Sequence, residues 1–385
     1  MIKYLGSKRR LVPVVGAIAD AIGARSAIDL FAGTTRVAQE LKRRGVVVTA
    51  VDSARYADIF ARCYIATDGR AVDRTELGAA IDHLNQLPGR AGYVTETFCL
   101  RSRFFQPFNG ERIDAVRDAI DREWVDHELF PVLLTSLIEA ADRVDSTTGV
   151  QMAYVKRWSA RSHQPLALRT PSLLAGPGRA IRGDACAVVT ATDVGAFDLA
   201  YLDPPYNQHR YLANYHIWET MVAWDAPEHY GVACKRIDLR GPEGRSPFNR
   251  RREMPAALAE VIERVPAPVV VLSYNDESWL DLDDLLAMCS GRRAVEVLAF
   301  ELPRYVGARI GIYNPSGERV GRPARLHNVE YLLIAGPAEL VARATEAARS
   351  AQPAASEAMA QTVATSPTPA ITSERPSGAR ASSPS

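Results

Sequence analysis

Three apolar runs, each ending in an acid, constrain this chain more than any other feature of it. Ala27-Ile28-Asp29 leads into Leu30-Phe31-Ala32-Gly33, Val46 to Val51 stops at Asp52, and Phe197 to Leu202 stops at Asp203. A helical stretch through Arg36 to Leu41 separates the first two runs, with Thr34 or Thr35 available to cap it and Gly45 to end it. A second helical stretch, roughly Ala54 to Ala66, follows Asp52. Strands alternating with helices in this way predict a parallel, doubly wound α/β sheet of Rossmann-like type. Such sheets bind ligands at the carboxyl ends of their strands, where the three acids fall.

The pattern then lapses. From about Thr67 to Gly178 the sequence reads as helices and loops with few β runs. Strands return at Phe197–Leu202, Val269–Tyr274, Ala294–Leu298 and Val329–Ile334. Residues 1–66 and 183–336 are therefore expected to form one α/β domain, interrupted by a mainly helical insert over 67–182. Insertions that long inside a domain are usually functional. Beyond Gly336 the composition turns to Ala, Ser, Thr and Pro. A helix is expected to continue from Ala338 to Arg349. The rest of the 337–385 tail is expected to be disordered, for lack of apolar surface to offset ordering entropy.

The net charge of +1 conceals its placement. Tyr154 to Arg182 holds no Asp or Glu but carries Lys156, Arg157, Arg161, Arg169, Arg179 and Arg182. A second basic run includes Lys235, Arg236, Arg240, Arg245 and the triplet Arg250, Arg251 and Arg252. That polarity predicts a polyanion-facing side. The five cysteines are far apart and form no CxxC pair, so reduced thiols and no metal site are expected. There is no long apolar run and no signal peptide, so a cytoplasmic protein without a membrane span is expected.

The most chemically specific motif is Asp203-Pro204-Pro205-Tyr206. An exocyclic amine on a base is a weak nucleophile, because its lone pair is delocalised into the ring. Two acceptors for its N–H groups turn the nitrogen toward a methyl donor. Asp203 offers one, the carbonyl of Pro204 the other, and the prolines fix the turn that aims it. Tyr206 offers a stacking face for an extracted base. With a sulfonium donor no metal is needed; catalysis is positioning and electrostatics. Gly33 allows close backbone approach to a ligand, and Asp52 stands where an acid takes ribose hydroxyls. The further glycines of a dinucleotide fingerprint are missing. A nucleoside without pyrophosphate, such as S-adenosylmethionine, is expected. Lys8, after the Gly6-Ser7 turn, is available to a cofactor carboxylate.

These pieces resemble the Dam-like class of DNA adenine N6-methyltransferases, and most resemble the subgroup typified by the FokI modification methylase. Lys3 to Lys8, Asp29-Leu30-Phe31-Ala32-Gly33-Thr34, Asp52, Gly183-Asp184-Ala185, Asp203 to Tyr211 running into Asn214-Tyr215-His216, and Leu272 to Glu277 are similar to the family's motifs and keep their order. The resemblance implies cofactor contacts at Tyr4, Lys8, Asp29, Phe31, Gly33, Asp52, Asp184 and Asp203. It implies a catalytic pocket at Asp203 to Tyr206, and makes the 67–182 insert the target-recognition region. Double-stranded DNA is the implied substrate, with Lys156, Arg157, Arg161, Arg169, Arg250 and Arg251 expected on phosphates. A cognate restriction endonuclease is the implied partner. One departure stands out: Thr35 occupies the place of a second family glycine. An RNA base methyltransferase, an amino-cytosine methyltransferase and a catalytically silent DNA-binding regulator remain as alternatives.

Overall fold

The computed structural model describes residues 2–4, 8, 10–154, 157–191, 194–205, 211–241, 246–303, 312–313, 319–321 and 327–351. Gly6, Ser7, Lys156, Tyr206 to Arg210, Arg245 and the chain beyond Ala351 lie outside the described residues.

Seven strands form one sheet: β1 (Ser26–Asp29), β2 (Val47–Asp52), β3 (Gly178–Arg182), β4 (Leu199–Leu202), β5 (Val269–Asn275), β6 (Ala294–Pro303) and β7 (His327–Gly336). Their order is β3-β2-β1-β4-β5-β7-β6. The first five run parallel, and β7 is antiparallel to both β5 and β6. The expected Rossmann-like sheet is present. Chain order reverses between β1 and β4, which opens a crevice at their carboxyl ends. Asp198 holds the opposite end of that strand pair closed, its carboxylate accepting from the amides of Arg25 and Ser26.

The strands bury both faces. Ala27, Leu199, Tyr201, Val269, Val271, Leu332 and Ile334 point to one core; Ile28, Ala200, Leu202, Val270, Leu272 and Leu333 point to the other. This period of two explains why the sequence shows continuous apolar runs rather than alternation. The second core is covered by α7 (Ala185–Thr190), α10 (Met254–Arg264) and α11 (Leu282–Cys289).

The first core takes α1 (Val12–Ile22), α2 (Arg36–Arg43), α3 (Arg55–Ala61) and α9 (His216–Ala223), which follows the short α8 (Tyr211–Asn214). It also takes the helices of the expected insert, α4 (Arg74–Gln86), α5 (Pro107–Trp124) and α6 (Phe130–Val144). The helical region therefore shares the catalytic core. Buried Arg117 of α5 donates to the carbonyls of Met221 and Val222 at the end of α9. Gln151 accepts from the amide of Ile217 and meets the ring of His216, clamping the start of α9.

Two boundaries differ from expectation. Residues 178–182, expected to close the insert, are the edge strand β3. It was hidden because an edge strand needs few apolar residues; Gly178-Arg179-Ala180-Ile181-Arg182 is half exposed. Gly178 abuts the π-helical turn Arg62–Ala66 that extends α3, and a Cβ there would lie 2.4 Å from the carbonyl oxygen of Ile65. The tail also starts later than residue 337. Helix α12 (Ala338–Ser350) buries Val341, Ala344 and Ala348 in the first core, against α1. No described helix is long and apolar enough to cross a membrane.

Ending the chain after Pro337 is therefore expected to lower the thermal unfolding midpoint sharply, because α1 loses its cover. Ending it after Ala351 leaves the midpoint unchanged. Thermal denaturation of the two truncations checks both.

Candidate active site

A cavity of about 240 Å³ opens at the carboxyl ends of β1, β2 and β4. Tyr4, Lys8, Asp29, Phe31, Gly33, Asp52, Asp184 and Asp203, dispersed over two hundred residues of sequence, all line it. Pro205 lines it too; Pro204 is buried behind.

Asp29 ends β1 and is fully buried, its Oδ1 meeting no hydrogen-bond donor among the described residues. Burial, and then the nearby charge of Asp203, push it up to about 8. Asp52 ends β2. Its two oxygens accept from the amide of Gly33 at 2.9 Å and from that of Ala54 at 2.9 Å, so one carboxylate ties the glycine loop to the start of α3. Burial raises its pKa, and these amide bonds offset part of the rise. Glu219 of α9 supports the same corner by accepting from the amides of Arg55 and Tyr56.

Gly33 has φ +50°, and a Cβ there would lie 3.2 Å from the Tyr4 hydroxyl. The Tyr4 ring is stacked on Tyr215 at 4.6 Å and on Tyr211 at 5.5 Å, and its hydroxyl meets that of Tyr56 at 3.3 Å. Thr35 carries the departure from the family glycine in its backbone. It sits at φ 60°, ψ 21°, the left-handed region that glycine enters freely and a β-branched residue does not. Such a conformation costs about 1–3 kcal/mol. It is held by the Thr35 hydroxyl, which donates to the Thr34 carbonyl at 2.7 Å and accepts from Gln39 Nε2 at 2.9 Å. Thr35 thus stands at the expected helix start, without a side-chain cap.

Asp184 caps α7, accepting from the amide of Cys186 at 3.0 Å, while it also lines the cavity. The Phe31 ring meets Phe248 edge-on at 4.9 Å. Phe248 lies on the turn Pro247–Asn249, which joins the cavity wall although no sequence motif marks it.

Asp203 follows β4. Lys8 Nζ lies 3.1 Å from its Oδ1 and also ion-pairs with Glu330 on β7. Burial raises Asp203 to about 6; the Lys8 ammonium opposes that rise and Glu330 adds to it. Lys8, expected on a cofactor carboxylate, is thus engaged by two carboxylates of the protein. Glu330 was missed by motif reading. Its one signal was an acid inside the apolar strand Val329-Glu330-Tyr331-Leu332-Leu333.

The expected DNA-contacting residues do not gather equally. Arg157, Arg169 and Arg251 are exposed. Arg250 is exposed and pairs with Glu253. The Arg250 to Arg252 triplet directly follows the cavity-lining turn at Phe248. Arg161 is turned inward, its guanidinium ion-paired with Asp145 and bonded to the carbonyls of Asp145 and Thr147. Trp158 packs under the Arg103 guanidinium, 4.6 Å from its ring centre. Among the described residues no three His, Cys, Asp or Glu side chains group to hold a metal.

Asp29 has a consequence for stability. Its folded value lies above its unfolded value of about 4, so the folded protein keeps a proton that the unfolded chain releases. That stabilisation is complete below about pH 4 and lost as pH rises through about 8. Asp29→Asn is expected to raise the unfolding midpoint more at about pH 8.5 than at about pH 5. Denaturation curves of both proteins at the two pH values test this, and an equal shift at both would contradict it.

The family model of the D12 class N6 adenine-specific DNA methyltransferases matches residues 4–245, more than half the chain. Type II methyltransferase M.NlaIII of Neisseria lactamica is 29% identical over 296 residues, spanning 72% of this chain and 85% of that protein. M.CviAII of Paramecium bursaria Chlorella virus 1 is 28% identical, spanning 72% and 83%. M.FokI of Planomicrobium okeanokoites is 26% identical over 300 residues, which make up 72% of this chain and 45% of that longer protein. The chain belongs to the D12 class of N6 adenine-specific DNA methyltransferases.

Proposed function

We infer that the protein transfers a methyl group from S-adenosylmethionine to the N6 amine of an adenine extracted from a specific site in duplex DNA. It acts in the cytoplasm as the modification arm of a restriction-modification pair. The observation that carries this reading is the meeting of Asp203 with the Asp29, Gly33 and Asp52 corner in one cavity. The relatives named as type II methyltransferases support the restriction-modification setting. The family is one of DNA adenine enzymes, and no observation favours the RNA, cytosine or silent-regulator readings.

The residues suit the cofactor. Buried Asp29 Oδ1 lacks a donor, which a cationic amine would supply. Asp52 stands at the strand end suited to ribose hydroxyls, and Gly33 lets the backbone approach. Phe31 and Phe248 give an apolar wall beside Asp184, suited to an adenine ring. When bound, the cofactor supplies a methyl group made electrophilic by a sulfonium. Asp203 accepts one N–H of the target amine and the Pro204 carbonyl accepts the other. The nitrogen lone pair is thereby freed from ring conjugation. Asp203 then stabilises the positive charge that grows on the nitrogen and takes the proton it sheds. Tyr206 stacks the base. Arg157, Arg169, Arg250 and Arg251, with Lys156, hold phosphates, and residues 67–177 contribute target recognition.

Asp203→Ala is expected to fold and to lose methylation by at least about a hundredfold. Single-molecule sequencing of DNA from expressing cells should show N6-methyladenine in one sequence context with the wild type and none with the variant. Wild-type turnover in the variant would remove Asp203 from its role. Because Asp203 acts ionised and its pKa is raised, single-turnover rates should climb with pH through about 6 and level off above. A rate already flat from about pH 5 would contradict that.

A further inference from the structure

Glu330 is a buried charged group beside this site that the catalytic scheme leaves unused. It sits on the antiparallel strand β7, directly across from Asn275 at the carboxyl end of β5. Its side chain is 5% exposed and that of Lys8 is 7% exposed. Ser273 donates to Glu330 Oε1 at 2.7 Å and Asn275 donates to Oε2 at 3.3 Å, so both oxygens are fixed from β5. Lys8 bridges from Glu330 Oε1 to Asp203 Oδ1. A buried carboxylate costs several kcal/mol unless it is paired, and a packed apolar side chain would serve the sheet at least as well. The acid is therefore better explained by what it does to Lys8.

Charge balance shows what that is. Lys8 with Asp203 alone is a neutral pair, in which the ammonium draws on the lone pairs that the target amine needs. With Glu330 added, the cluster carries one net negative charge facing a nitrogen that becomes positive. We propose that Glu330 is a positioning residue for methyl transfer: anchored by Ser273 and Asn275, it holds the Lys8 ammonium and offsets its charge, so that Asp203 remains a strong acceptor for the amine. The proposal rests on the functional reading above. Among the described residues, the titratable groups facing Asp203 are Lys8 from the N-terminal segment, Glu330 from β7, Asp29 from β1 and Tyr201 from β4. Of these, Glu330 is the acid that is also bonded to Lys8.

The test compares the full chain, wild type and Glu330→Gln, using tritiated S-adenosylmethionine and PCR-amplified genomic DNA free of methyl marks. The variant is expected to lose about ten- to hundredfold in kcat, the rate equivalent of one charge-assisted hydrogen bond. KM for DNA stays near the wild-type value. The acid limb of its pH profile moves to lower pH, because a negative neighbour that raised Asp203 has gone. A merely structural role would reduce the amount of active enzyme without moving the limb. Unchanged kcat and limb, or a fall in kcat with an unmoved limb, overturns the proposal while the function stands. Absence of methylation by the wild type overturns both. If Glu330→Gln fails to fold, Ser273→Ala and Asn275→Ala loosen Glu330 and keep its charge. Both should lower kcat at unchanged KM for DNA, and wild-type turnover in both would overturn the proposal.

Discussion

Besides Asp184, which caps α7, four carboxylates, Asp29, Asp52, Asp203 and Glu330, converge at one end of the sheet, and the fold must keep them from repelling one another. In a buried site like charges interact far more strongly than in water. The structure answers with three devices. Asp52 is held by two backbone amides. Asp29 has its pKa pushed up to about 8, so that at neutrality it mostly keeps its proton. Asp203 and Glu330 share the ammonium of Lys8. A single residue from the N-terminal segment thus connects the end of β4 with the inner strand β7. Asp203 at the end of β4 and the antiparallel half of the sheet are joined through that contact.

The same constraint explains why the site resists being divided into parts. The segment carrying Tyr4 and Lys8 is tied down one residue earlier, where Lys3 pairs with Asp142 at 3.0 Å and with Asp145 at 3.4 Å. Asp142 lies in the last turn of α6 and Asp145 is the residue that follows the helix end. Asp145 also receives Arg161. The helical region between α3 and β3 therefore buries its apolar faces in the catalytic core and anchors the segment that supplies Lys8. Exposed Arg157 and Arg169 lie on the loops that follow α6.

Much of this was legible in the sequence, for identifiable reasons. The strands β1, β2, β4, β5 and β7 read as apolar runs because they are buried on both faces, and the first three of them lead into acids. The motif residues on those ends fell in one cavity because a parallel sheet brings its carboxyl ends together. Strand β3 was not legible, because an edge strand starting at Gly178 needs no apolar run. Helix α1 was not marked either: Val12 to Ile22 is apolar nearly all round, as suits a helix between α2 and α12, and shows no face. Ion pairs were least legible of all. That Lys8 meets Glu330, 322 residues away, depends on strand order, and no local pattern carries strand order.

Thr35 shows how the sequence can flag a position and withhold its reason. The missing glycine was evident, but what threonine does to the backbone there was not. The structure keeps the backbone that glycine would adopt and forces threonine into it. The hydroxyl bond to Gln39, worth about 1 kcal/mol, offsets part of the strain. Valine, of nearly the same shape, would inherit the strain without the bond. Glycine would relieve the strain and leave the loop freer before the cofactor binds. The threonine thus trades some folding stability for a cavity-lining loop whose shape is set in advance, which is the direction in which strain near a binding site is usually spent.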